Sequence, residues 1–104
     1  MRPIPKKLKE EIASDPFMKK CVYTDECENV SWEHCWTYAG KQINEKWAIV
    51  PLRRDLNVNM TQKVKDYCRW VSLNRAIKED FAKYPRFNWE QEKLYLSKKY
   101  GKKI

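Results

Sequence analysis

From Asn29 to Trp36 the side chains alternate, with Val30, Trp32, His34 and Trp36 on one face and Ser31, Glu33 and Cys35 on the other. A period of two is the mark of a strand with one face buried. Such a strand needs a partner. The next apolar run is Trp47–Leu52 (Trp-Ala-Ile-Val-Pro-Leu), a short buried strand that Pro51 should end or hold at a sheet edge. A lone hairpin is marginal in water, so helices must pack on it.

Helical patterns flank the two strands. Pro3 and Pro5 precede Lys6–Ala13, where Leu8 and Ile12 stand four apart, which predicts a first helix with proline at its mouth. Asp15 is placed to cap a short turn that begins at Pro16. Residues 21–28 read as a knuckle or hairpin loop, and Tyr38–Lys46 as a loop between the strands. A helix start is expected within Arg53–Met60. From Thr61 the apolar period is helical, through Val64, Cys68 and Val71 and, after a slip, Ile77 and Phe81. Tyr84-Pro85 should stop that helix. Asn88 with Gln91 resembles a capping box for a last helix, with Trp89, Leu94 and Leu96 as its apolar residues and Gly101 at its end. The expected fold is α+β: a small β-hairpin plus helix, with flanking N- and C-terminal helices, in one domain. Residues 1–16 make the N-terminal helix, 17–60 the centre and 61–104 a basic helical part.

Composition narrows the function classes. The chain of 104 residues has only two glycines, which excludes glycine-rich phosphate loops and dinucleotide fingerprints. No apolar stretch approaches the ~20 residues of a membrane span, so no membrane partner is expected. Met1 to Lys7 has no apolar core of a secretory signal, which points to the cytosol and reduced thiols. The net charge is +8, and it is unevenly spread: residues 1–60 carry 10 basic and 9 acidic side chains, residues 61–104 carry 12 and 5. A basic half suggests a polyanion, most simply nucleic acid. The alternative is a solvated Lys-rich helical surface.

The chain has one histidine, His34, next to Glu33. Imidazole is suited to taking a proton from water near neutral pH. Glutamate is suited to holding a hard cation such as Mg²⁺. Adjacent strand residues point to opposite faces, but twist or a bulge at a strand end can bring both to one site. Arg53-Arg54 after the second strand form a possible phosphate clamp, because guanidinium forks match phosphate oxygens. Lys41, Arg69 and Arg75 are further candidates for nucleic-acid contact. Cys21 and Cys27 stand wider apart than the usual zinc-knuckle spacing; a structural Zn²⁺ is conceivable, and buried free thiols suit Cys35 and Cys68 better.

Trp32-Glu33-His34, Tyr38-Ala39-Gly40-Lys41-Gln42-Ile43-Asn44-Glu45 and Trp47-Ala48-Ile49-Val50-Pro51-Leu52 together resemble an HNH-type (ββα-metal) nuclease, most closely the small HNH-like proteins of phages and prophages. The likeness covers most of residues 17–100, and its specific part is the Trp-Glu-His and Trp-Ala-Ile-Val-Pro-Leu blocks. It implies a ββα centre that clamps one divalent metal, Mg²⁺ or Mn²⁺. Glu33 would bind the metal, His34 would be the general base and Asn44 would orient it. The final histidine of the family is replaced here by Asn57, whose amide oxygen can ligate Mg²⁺, and Asp55 is a second candidate ligand. The resemblance thus implies a metal-dependent DNA endonuclease in the cytoplasm of a bacterial host. The alternative is a catalytically inactive relative that binds nucleic acid or inhibits a host protein by contact.

Overall fold

The computed structural model describes residues 4–101; Pro3 and the basic pair Lys102-Lys103 lie outside the described residues. The chain is mixed helix and sheet, as expected. Helix α1 spans Lys6–Ser14, with Pro5 at its N-cap and Ile12 buried. Asp15 then caps a 3₁₀ turn, Pro16–Lys19, by accepting the Phe17 N–H at 3.0 Å. Strands β1 (Val30–His34) and β4 (Ile49–Arg53) pair antiparallel, with Ser31 opposite Leu52, Trp32 opposite Pro51, Glu33 opposite Val50 and His34 opposite Ile49. Pro51 does not end its strand. Its carbonyl faces away from β1 and accepts the Val22 N–H at 3.0 Å, so the missing proline N–H removes no bond from the ladder.

The sheet separates two cores. On one side Trp32 and Ile49 pack with Ile12 and Met18 from the N-terminal elements. On the other, Val50 and Leu52 meet Val64, Cys68 and Leu73 of the long helix α3 (Gln62–Arg75) and Trp89 and Leu96 of the last helix. Trp36 belongs to this second core, not to the face of Trp32 and His34 where the alternation puts it. Regular pairing stops at His34 because a 3₁₀ turn, Lys46–Ala48, precedes β4.

Beyond that point the expected loop forms a second, two-residue hairpin. Strands β2 (Thr37–Tyr38) and β3 (Lys41–Gln42) are joined by Ala39 and Gly40 at φ 52° and 79°. Positive φ at both central residues is the primed turn that matches strand twist. Ala39 takes it without glycine's freedom.

Helix α2 (Arg54–Val58) is a single short turn of helix after β4. Thr61 caps α3 by accepting the Val64 N–H at 3.2 Å. The slip in the apolar period is a break: α3 ends at Arg75, Ile77 is extended, and α4 (Lys78–Ala82) starts afresh with the Asp80 carboxylate accepting the Ile77 N–H at 2.9 Å. The last helix, α5 (Trp89–Tyr100), has the expected ends: Asn88 accepts the Gln91 N–H at 3.1 Å, and Gly101 closes it at φ 69°. Leu94, expected in its apolar face, is 58% exposed. Among the described residues no helix is long and apolar enough to cross a membrane.

Helices α3 and α5 are tied through buried Asp66, which accepts hydrogen bonds from Gln62 Nε2 (2.8 Å), Tyr95 Oη (2.8 Å) and Lys99 Nζ (2.7 Å). Burial pushes this carboxyl up, but the bonds from Lys99, Tyr95 and Gln62 outweigh it and hold the carboxyl below its ordinary value. A carboxyl whose pKa is lowered by folding stabilises the protein above the ordinary carboxylate range, and that share is lost as pH falls through the lowered value. Asp66→Ala is therefore expected to cost about 2 kcal/mol at neutral pH, or roughly 10 °C in Tm for a chain of this size. Thermal melts of both proteins should converge as the pH drops below the carboxylate range.

Candidate active site

His34 closes β1, and the chain returns to it through β3. Its Nε2 lies 2.9 Å from Asn44 Oδ1. An amide oxygen can only accept, so Nε2 donates this bond. The residue expected to act as base and the one expected to orient it are thus in contact across ten residues of sequence. Asn44 also lines an open cleft against α1, with Lys7, Glu11 and Lys46 on its walls.

Glu33 does not share that site. The register from Val30 to His34 is unbroken, with no bulge, so the pleat sends Glu33 to the α3 side with Val50. There burial pushes its carboxyl up, Lys65, the His34 N–H and Arg69 pull it back, and the balance is a raised pKa. Ser31 shares this face. Its hydroxyl donates to Leu52 O at 2.8 Å and accepts from Asn57 Nδ2 at 3.1 Å, which fixes Asn57 to β1 on the same side as Glu33. Ser31 was missed as a site residue, although the alternation already placed it beside Glu33.

Asp55 is held by Arg53 through Nε to Oδ1 at 2.5 Å and Nη2 to Oδ2 at 2.8 Å, and this guanidinium keeps its carboxyl below the ordinary range. Glu33, Asn57 and Asp55 therefore do not form one shell with the face that carries His34. Two cations, Lys65 and Arg69, already stand beside Glu33, and Asp55 is committed to Arg53. No three His, Cys, Asp or Glu side chains among the described residues are grouped as a metal ion requires. As placed, the expected donor set does not fit a jointly held Mg²⁺ or Mn²⁺.

The cysteines are free thiols. Cys21 is buried and Cys27 exposed, and neither belongs to a group of three or more His, Cys, Asp or Glu side chains among the described residues. Instead Arg53 pins the loop. Its backbone N–H donates to Cys21 Sγ at 3.2 Å, and its guanidinium bridges Glu26 and Asp55. Burial raises the Cys21 thiol, but hydrogen bonds from Thr24, Arg53 and Tyr23 more than offset it, so its pKa is lowered. Burial drives Cys35 well up, and it lifts Cys68 to about 12 with help from Glu33 and Cys21. Neither is a nucleophile at neutral pH.

Of the arginines expected to grip nucleic acid, three serve the fold. Arg53 forms the clamp just described. Arg69 donates to Cys35 O at 3.1 Å and lies 4.6 Å over the Trp36 ring. Arg75 reaches Asp15 at 3.2 Å and sits 3.6 Å over Phe17. Arg54 and Lys41 remain exposed. Comparison with protein-family models, curated proteins and solved structures finds no match to this chain.

Proposed function

We propose that this chain is an HNH-like endonuclease acting on DNA, with His34 as general base and Asn44 as its orienting partner. The observation that carries the reading is the 2.9 Å contact between His34 Nε2 and Asn44 Oδ1. With Nε2–H given to Asn44, Nδ1 accepts a proton from water. The hydroxide so formed attacks phosphorus, the new P–O bond forms, and the bond to the leaving 3′-oxygen breaks, the departing alkoxide taking a proton from solvent water. Exposed Arg54 and Lys41 would hold the phosphodiester backbone with little sequence preference.

The test is nicking of supercoiled plasmid by the purified full chain in Mg²⁺, Mn²⁺ and EDTA, beside Asn44→Ala. The expected result is nicking that falls about ten- to a hundredfold when the base loses its orienting amide. Absence of nicking under all three conditions sinks the reading.

A second reading has its own observation. Asp55 is committed to Arg53, and Asn57 spends its amide hydrogen on Ser31. This arrangement favours a noncatalytic HNH-like protein that binds nucleic acid, or blocks a host protein by contact. DNA binding without cleavage would establish the nucleic-acid form of this alternative.

A further inference from the structure

The β2–β3 hairpin and the turn before α5 enclose a small groove lined by Thr37, Tyr38, Ala39, Arg86 and Phe87, with no carboxylate among its walls. Tyr38 and Lys41 are direct cross-strand partners, so their side chains share one face of the hairpin. The Tyr38 hydroxyl accepts the Arg86 N–H at 3.1 Å. Its ring stacks on Phe87 at 6.0 Å and 29°, and meets Tyr84 edge-on at 5.0 Å. The groove therefore has an aromatic wall, in which Phe87 is itself stacked on Trp89 at 4.5 Å, with Arg86 among its lining and Lys41 on the hairpin face of Tyr38. Lys41 and Arg86 are exposed, and neither has a salt bridge among the described residues, whereas Lys83 nearby is committed to Glu45.

The hairpin lies in the chain between His34 and Asn44. It follows β1 after Cys35 and Trp36, and Ile43, the residue before Asn44, closes it by donating its N–H to Trp36 O at 3.0 Å.

We propose that the groove holds one nucleotide unit of single-stranded nucleic acid, its phosphate between Lys41 and Arg86 and its base against the Tyr38–Phe87 wall. The inference rests on the nucleic-acid part of the proposed function. Guanidinium forks and ammonium groups pair with phosphate oxygens, and aromatic rings accept any base face without reading sequence. In a duplex each base face is already stacked on its neighbour, so only a single strand can use both features.

Fluorescence anisotropy with a labelled oligothymidylate and a labelled duplex, using the full chain, tests this. The substitutions are Lys41→Ala with Arg86→Ala, both at exposed positions, and Lys98→Ala on α5 as a control cation. The parent is expected to prefer the single strand. The double variant should bind it roughly tenfold more weakly, with a salt dependence shallower by about 1.4 in the log–log slope for two lost phosphate contacts. Lys98→Ala should change little. Unchanged binding by the double variant, an equal loss with Lys98→Ala, or a loss confined to the duplex overturns the groove while leaving nucleic-acid binding intact. A parent that binds neither probe overturns both.

Discussion

Replacing His34 with alanine is expected to slow plasmid nicking by roughly a hundred- to ten-thousandfold, the usual contribution of a positioned acid–base group. The size of the loss follows from the absence of a stand-in. His34 is the chain's only histidine. Its neighbour Glu33 is the natural substitute in sequence, but the pleat turns that carboxylate toward α3, beside Lys65 and Arg69. Asn44 has no basic nitrogen, and burial pushes the thiols of Cys35 and Cys68 up, away from ionisation at neutral pH. The fold should survive, because the side chain is only half-buried and its one hydrogen bond is worth about 1 kcal/mol. Single-turnover nicking beside a melting curve separates the two effects. A variant that nicks at the parental rate removes His34 from the chemistry.

Trp36→Ala is expected to bring the largest loss of stability, about 3–5 kcal/mol. Small domains have only about 5–15 kcal/mol in total. Trp36 is 1% exposed. Its Nε1–H donates to Ser72 Oγ at 2.8 Å, and that hydroxyl in turn donates to Arg69 O at 2.7 Å. Phe87 and Trp89 meet its ring edge-on at 5.6 and 5.1 Å, and the Arg69 guanidinium covers it. Truncation leaves a ring-sized void where β1, α3 and α5 converge, with the Ser72 hydroxyl stripped of its donor. Trp36→Phe, which keeps a ring and loses the N–H, should cost less. Urea denaturation measures both; a loss below about 1 kcal/mol for alanine would place Trp36 outside the core.

Local signals were the most legible in the sequence. Asp15, Asn88 and Gly101 act through hydrogen bonds or backbone angles within three residues of themselves, so their roles did not depend on the rest of the fold. The strand pairing was legible for a similar reason, since an alternating run has one way to bury its apolar face. What depended on long-range geometry was not. The second hairpin rests on two-residue strands and an Ala-Gly turn, too short to carry a period. Trp36 follows the alternation in sequence yet lies past the last paired residue, where the chain is free to rotate it into the other core. The same limit governs the site. Asn44 meets His34 as the resemblance implied, but the twist or bulge that would bring Glu33 to the same site is not there, and an unbroken register parts the two. An arginine's fate is equally nonlocal: Arg75 looked available until Asp15 and Phe17, sixty residues earlier, closed over it.

The indole cluster gives the protein an optical property. Trp36, Trp89 and Trp47 form a chain of edge-to-face contacts at 5.1 and 5.8 Å, all inside one core. Rings held this close at fixed angles exchange excitation and produce strong near-ultraviolet dichroism, which disappears when packing loosens even while helices persist. Trp32 sits across the sheet against Ile12 and Met18, outside that array. Near-ultraviolet light therefore reports chiefly on the α3–α5 side of the molecule, and loosening of the N-terminal side would pass almost unseen.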